Sequence, residues 1–241
     1  MMKINHVSVI YPDKTIAINK IDLDIQTDQS VALIGANGAG KTSLLLSLVG
    51  VIPSSGEIIV DDVQLDKHTL GEIRKRVGVV FQNPDNQLFM PTIYEDVAFG
   101  LRNYGVPENQ IEAKVDYYLK ELGIMHLKNR SPLKLSGGEK RIAAIATILA
   151  MEPSIMLFDE PTAFLDPKAR RNLITLLNKL PHTKLIASHD LSFVAEVCNR
   201  AVVLKDGTIF ADGIPSDLIY NKKLMDDSGI EAIPYPMKEE N

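Results

Sequence analysis

One stretch of eight residues limits what this chain can fold into more than any other. It is Gly35-Ala36-Asn37-Gly38-Ala39-Gly40-Lys41-Thr42, set between the apolar run Ser30-Val31-Ala32-Leu33-Ile34 and the segment Ser43-Leu44-Leu45-Leu46-Ser47-Leu48. The order reads strand, glycine-rich turn, helix, and the spacing is G-x-x-x-x-G-K-T, the pattern of a phosphate-binding loop. A polyphosphate needs many backbone N–H donors converging on a small volume, and side chains would block that approach. Glycines remove the Cβ atoms and permit left-handed turns. A helix beginning near Lys41 adds the positive end of its dipole, and the Lys41 ammonium adds a full charge. The Thr42 hydroxyl is then placed to ligate magnesium. The competing reading is a glycine-rich turn that only joins a strand to a helix, and the rest of the chain has to decide between them.

The chain has 241 residues, enough for one large domain or two closely packed ones with a substantial core. A net charge of −5 argues against broad, nonspecific nucleic-acid binding, and no nucleic-acid partner is expected. The densest basic cluster, Arg74-Lys75-Arg76, reads as a solvated helix face. One cysteine, Cys198, cannot form an internal disulfide, which suits a reducing cytosol. The first residues lack the apolar core of a signal peptide. The longest strongly apolar stretch, Ile142 to Met151, is too short to span a bilayer. Any membrane role must therefore run through a partner.

Apolar residues alternate with polar ones at Ile4, Val7 and Val9, and again at Ile21, Leu23 and Ile25, as in half-buried strands. With the strand Glu57-Ile58-Ile59-Val60 they predict an antiparallel sheet beside the phosphate loop. Val77 to Phe81, Ser154 to Phe158 and Lys184 to Ser188 read as buried strands. Val202-Val203-Leu204 and Thr208-Ile209-Phe210 flank Lys205-Asp206-Gly207 as a hairpin. Buried strands alternating with helices predict an α/β fold with a parallel core sheet and chemistry at the strand ends. Residues from about 92 to 128 are helical in pattern, with Ile111, Val115, Tyr118, Leu119 and Leu122 at helical spacing, and read as a helical subdomain inserted into the core. Leu135-Ser136-Gly137-Gly138-Glu139 opens another helix, and Asp166 to Leu180 a further one. The last twenty residues read as loosely ordered.

Several of these strand ends carry chemistry. Asp159 and Glu160 close the apolar strand, and sheet geometry can bring them to the phosphate loop. Asp159 would hold magnesium, directly or through water, opposite Thr42, and Glu160 would orient and deprotonate an attacking water. The other reading is a solvated acidic pair capping a turn. His189, following its own strand, could support developing charge on a phosphate or could be structural. Gln82 occupies the same kind of position, where its amide could bind both metal and water. Ser136-Gly137-Gly138 makes a second helix N-terminus suited to an anion, or a plain helix cap. One phosphate cluster rarely needs two such sites from one chain, so the second would serve a nucleotide held by another subunit.

In order, the chain holds a phosphate loop, a glutamine after a strand, LSGGE, an apolar run ending in Asp-Glu, and a strand followed by histidine. Over residues 3 to 215 it resembles the nucleotide-binding subunits of ATP-binding cassette (ABC) transporters. The resemblance implies a P-loop NTPase fold with a mixed, largely parallel core sheet, an N-terminal antiparallel β-subdomain and an inserted α-helical subdomain. Residues 1–220 would be the ATPase domain, with about 90–150 as the helical subdomain and 221–241 as a tail. It implies ATP and magnesium as ligands, with Tyr11 stacking on adenine and Gly35, Ala36, Asn37, Gly38, Ala39, Gly40, Lys41, Thr42 and Ser43 around the phosphates. Magnesium would sit on Thr42, Gln82 and Asp159; catalysis would fall to Glu160, His189 and Gln82. It also implies a head-to-tail dimer in which Ser136, Gly137, Gly138 and Glu139, with Asp166 of Ala163-Phe164-Leu165-Asp166, meet the partner's nucleotide. The Gln82 loop and helical subdomain would contact integral-membrane subunits at the cytoplasmic face of the cell membrane.

The segments Gln82 to Phe89 and Pro91 to Gly100 are similar to those of energy-coupling factor (ECF) ATPases, which power uptake of vitamins or of cobalt and nickel ions. Other ABC importers or exporters, or a soluble ABC ATPase outside transport, are the alternatives; a regulatory module without catalysis is disfavoured by the Asp159-Glu160 pair. Two residues depart from the family pattern. Glu139 stands where glutamine is usual, placing a carboxylate where phosphate would approach. Phe164 replaces a usually small residue at the subunit interface.

Overall fold

The computed structural model describes residues 1–234. Its centre is a six-stranded sheet in the order β10-β9-β3-β8-β7-β6. These strands are β3 (Ser30–Gly35), β6 (Val77–Val80), β7 (Ile155–Asp159), β8 (Thr183–Ala187), β9 (Arg200–Lys205) and β10 (Thr208–Gly213). Neighbours pair in parallel except β10, which runs antiparallel to β9 through the Asp206-Gly207 turn. A second sheet, β2-β1-β4-β5, is antiparallel and built from β1 (Met2–Ile10), β2 (Ile16–Ile25), β4 (Ser55–Val60) and β5 (Val63–Gln64).

The near-continuous apolar character of the core strands follows from burial on both faces. Val31 and Leu33 of β3, Ile155 and Leu157 of β7, and Val202 and Leu204 of β9 point into one core, shared with the antiparallel sheet and α1 (Lys41–Ser47). Their alternates Ala32, Ile34, Met156, Phe158, Ala201 and Val203 point into another. That second core is covered by α5 (Gly137–Leu149), α6 (Pro167–Lys179), α7 (Leu191–Val197) and α8 (Pro215–Ile219). α2 (Leu70–Arg76) leads into β6 and buries Ile73 in the first core.

A third core joins α3 (Ile93–Asn103) and α4 (Glu108–Glu121) to α5. α5 belongs to both helical layers. Ile145, Ile148 and Leu149 face the sheet side, while the small residues Ala143, Ala144, Ala146 and Ala150 let α3 and α4 approach. Gly78 shows how closely β6 and α5 meet, because a Cβ there would lie 2.0 Å from Ile148 Cγ2. Among the described residues, no helix is long and apolar enough to cross a membrane.

The loosely ordered end expected from residue 221 differs from the structure over its first part. Lys222–Asp227 forms α9, capped where the Asn221 side chain accepts from the Leu224 N–H, and Met225 is fully buried in the second core. The expectation missed this because a helix of six residues shows no period, and one buried methionine anchors it. The rest of that expectation, residues 235–241, lies outside the described residues.

Candidate functional site

Strand register brings distant residues to one edge of the core sheet. Leu33 pairs with Ala187 and Ala187 with Asp159, while Phe158 pairs with Val80. The loop after β3, Glu160 after β7, His189 after β8 and Gln82 after β6 therefore emerge side by side. Parallel sheets gather their strand ends in this way, and a crevice forms beyond them.

The loop itself is tight. Gly40 has φ +101° and precedes α1, and a Cβ there would lie 2.3 Å from the Ala17 carbonyl oxygen of β2. The antiparallel sheet thus fixes the last turn of the loop. Lys41 is buried, and its ammonium donates to the carbonyls of Gly35 at 2.7 Å and Ala36 at 3.2 Å. Burial depresses the Lys41 pKa, against the opposing charges of Glu160 and Asp159. The Thr42 hydroxyl lies 2.9 Å and 3.1 Å from the two carboxylate oxygens of Asp159, across 117 positions of sequence. Burial pushes the Asp159 carboxyl up, with Thr42, Lys41 and Arg141 opposing.

Glu160 takes a left-handed backbone, φ +43°, with its N–H donating to the Ala187 carbonyl. The turn buries its carboxylate and directs it at two groups: Lys41 Nζ at 4.0 Å and His189 Nδ1 at 2.7 Å. The His189 backbone N–H also donates to Glu160. Such a residue costs backbone strain of about 1–3 kcal/mol, which strained residues at functional sites commonly carry. The cleft of about 520 Å³ beside these groups is lined by residues 37–43, Tyr11, Gln82, Glu160 and His189 among others. The Tyr11 hydroxyl is 2.9 Å from Ser43 Oγ, which ties the ring to the start of α1.

Ser136, Gly138, Glu139 and Asp166 are elsewhere. They line a separate cleft of about 580 Å³ between α4, α5 and α6. It is the larger of the two, yet it lacks the converging loop donors and the Lys41–Glu160–His189 cluster, so chemistry and not volume picks the site. Asp166 caps α6 by accepting from the Ala169 N–H. Glu139, the first departure from the family pattern, completes a capping box. Its carboxylate accepts from the Ser136 N–H and hydroxyl, both at 2.8 Å, and its own N–H donates to Ser136 Oγ. Those donors hold the Glu139 carboxyl below the usual carboxylate range. The Ser136 hydroxyl proton is therefore already engaged within the chain. Phe164, the second departure, has φ +63° and is 85% exposed. Its carbonyl oxygen lies 3.4 Å from where a Gly137 Cβ would be.

Three residues around the site escaped the sequence reading. Asp190 caps α7 through the Phe193 N–H and makes a two-pronged ion pair with Arg170. Its signal was local: an Asp following His189 and preceding an apolar helix is an N-cap pattern. Arg141 and Gln87 hold the Gln82 segment against α5, and contacts across about sixty positions leave no such signal.

Thr42, Asp159 and Gln82 offer a hydroxyl, one carboxylate and an amide, all hard oxygen ligands. Among the described residues no cluster of three His, Cys, Asp or Glu side chains is placed to hold a metal. Few protein ligands beside a polyphosphate site suit magnesium, which keeps waters and takes phosphate oxygens.

A family model described as ABC transporter matches residues 18–163. The chain is 43% identical over 231 residues to the energy-coupling factor transporter ATP-binding protein EcfA of Methanothermobacter thermautotrophicus, covering 93% of this chain and 74% of that one. Among solved structures it is similar to cbiO1 of Clostridium perfringens, part of the ABC transporter complex cbiONQ. The TM-score is 0.82 at 36% identity, covering 94% and 93% of the two chains. It is also similar to a dimeric ATP-binding cassette in a post-hydrolysis state bound to ADP and Pi. There the TM-score is 0.79 at 27% identity, covering 89% and 99%.

Proposed function

The chain belongs to the ABC transporter ATP-binding family, whose members hydrolyse ATP and dimerise, and from that premise we propose that it is the energising subunit of an ECF-type importer for a vitamin or for cobalt or nickel ions. The observation that carries the catalytic part is the cluster at one sheet edge: Lys41, Thr42 with Asp159, and Glu160 with His189. The importer class is supported by the EcfA relative and by the similarity to cbiO1.

In this reading the phosphates of ATP enter the Gly35–Ser43 loop. Loop N–H groups and the α1 N-terminus receive the oxygens, and Lys41 turns its ammonium from the loop carbonyls toward them. Tyr11, held by Ser43, offers its ring to the base. Thr42, Asp159 and Gln82 would hold magnesium, which would supply neutralising charge to the phosphates. Glu160 accepts the proton of the attacking water. At 2.7 Å His189 Nδ1 donates to the Glu160 carboxylate, which orients the imidazole beside the point of attack. His189, 65% exposed, is free to meet the phosphate as charge develops.

Ser136, Gly137 and Gly138 open on a different face, with Asp166 beside them, and close on the nucleotide of a second subunit. Glu139 releases the Ser136 hydroxyl when a phosphate arrives. The Gln82 loop and the α3–α4–α5 layer dock the integral-membrane subunits at the cytoplasmic side. An exposed aromatic pair there, Phe89 and Phe99 packed edge to face at 5.0 Å, is the apolar contact we assign to them. We read residues 1–220, with α9 packed onto their second core, as the ATPase domain, and about 90–150 as its helical subdomain.

Co-expression with candidate membrane subunits, extraction in detergent and affinity capture test this. Integral-membrane proteins should co-purify, and the complex should hydrolyse ATP faster than the isolated chain. Recovery of the chain alone from every such membrane extract would overturn the transporter assignment.

A further inference from the structure

Arg141 is fully buried, and the ATP chemistry above makes no use of it. Its two terminal nitrogens donate to successive backbone carbonyls, Nη1 to Phe81 and Nη2 to Gln82, each at 2.6 Å. Its Nε has no hydrogen-bond partner. Burying a guanidinium is costly, and a planar fork is the one side chain shaped to take two adjacent oxygens at once. Two further side chains act on the same segment. Gln87 donates from Nε2 to the Ala144 carbonyl at 2.8 Å and to Thr147 Oγ1 at 2.9 Å, while its Oε1 accepts from the Phe81 N–H. Lys140 pairs with Asp85 at 2.6 Å.

Residues 81–88 are thus bolted to the first three turns of α5. Residues 77–80, directly before them, are bonded into the core sheet as β6. At Val80–Phe81 the hydrogen-bond partners of the chain change from the sheet to α5. We propose that Arg141 is a positioning residue that makes Gln82 travel with α5. The N-terminus of α5 is Ser136-Gly137-Gly138, so a displacement produced there by a second subunit's nucleotide would reach Gln82 in the chain's own cleft. The clamp itself stands on the hydrogen bonds alone; its role between two nucleotides rests on the function proposed above.

The test uses the full chain with Arg141→Met, which keeps length and packing but removes the fork, and Arg141→Lys, which keeps the charge but reaches one carbonyl. Amide hydrogen exchange reads the clamp without nucleotide. In Arg141→Met the amides of residues 81–88 should exchange about a hundredfold faster, the factor carried by two hydrogen bonds to a charged group, with the phosphate-loop amides unchanged. Arg141→Lys should give about tenfold, from losing one of the two bonds. Hydrolysis reads the consequence: the magnesium concentration for half-maximal activity should rise about tenfold in Arg141→Met, the factor of the bond lost at the Gln82 carbonyl, at little-changed KM for ATP. A core filler with no positioning role would be replaced by methionine with neither change, and that result overturns the proposal. If Arg141→Met does not fold, unaltered exchange of residues 81–88 in Arg141→Lys overturns it equally. Absence of hydrolysis in the wild-type chain would count against the proposed function and leave the clamp to be judged on exchange.

Discussion

Replacing Gly40 by alanine separates two physical demands that the phosphate loop makes on its glycines. Gly38 and Gly40 both have positive φ, +84° and +101°, and an L-residue at either pays for the backbone conformation. That cost is about 1–2 kcal/mol. They differ in space. Nothing lies within 4 Å of a Cβ built on Gly38, whereas one built on Gly40 would meet the Ala17 carbonyl oxygen at 2.3 Å and Ile18 Cδ1 at 2.7 Å. The carbonyl belongs to β2, so relief requires a strand or the loop to move by several tenths of an ångström, which overpacking data place at about 1–3 kcal/mol more. Gly38→Ala should therefore lose about 1–2 kcal/mol and Gly40→Ala about 2–5 kcal/mol, by adding the two costs. Urea unfolding at constant m-value measures both. Any shift of the loop moves the N–H groups that face the cleft, so Gly40→Ala should also weaken ATP binding in calorimetry. Equal destabilisation by the two substitutions would refute the idea that the antiparallel sheet braces the loop.

Other expectations follow from single contacts. At Asp190 burial raises the carboxyl pKa, but the Arg170 fork, the Phe193 N–H and the Arg170 charge outweigh it and hold the pKa below the ordinary 3.8. A depressed folded pKa gives stability that is complete above the ordinary value and is lost as pH falls through the folded one. Asp190→Asn should thus cost about 1–2 kcal/mol at pH 7, the worth of a partly buried charged hydrogen bond, with the difference from wild type closing below pH 3.8 in denaturation curves. Burial pushes the Cys198 thiol up to about 12. Native protein at pH 8 should not react with a disulfide reagent, and unfolded protein should react with one equivalent per chain. Phe164→Ala should leave the stability of the single chain within about 0.5 kcal/mol, as surface changes do. It should weaken the ATP-loaded dimer in sedimentation by about 1.5–3 kcal/mol if the ring is buried there.

How much of this was legible beforehand depends on the range of the interaction. The phosphate loop could be read because its strand, turn and helix are contiguous. The strand ends carrying Gln82, Asp159 and His189 could be read because fully buried parallel strands leave continuous apolar runs. Helices α8 and α9 could not, since five and six residues show little helical period, and α7 offered only the Asp190 cap. Their positions are set by Phe193, Ile219 and Met225 entering a core built from distant strands. Glu139 was recognisable as unusual, and Ser136-x-x-Glu139 is the sequence pattern of the capping box that its carboxylate closes. Arg141 was the least visible. An arginine near a helix start normally reads as solvated, and its burial depends on two carbonyls about sixty positions away.

In the function proposed above, Glu160 is the base for ATP hydrolysis in a cleft that binds ATP by other groups. Glu160→Gln keeps the size of the side chain and its reach to His189 while removing the proton acceptor. ATP turnover, measured as phosphate release at saturating ATP and magnesium, should fall by about 10²–10⁴, the usual contribution of a positioned general base. ATP affinity should remain within about threefold, because Lys41 and the loop donors are untouched, and such uniform binding is separable from turnover. Turnover equal to wild type in Glu160→Gln would mean that Glu160 is not the base.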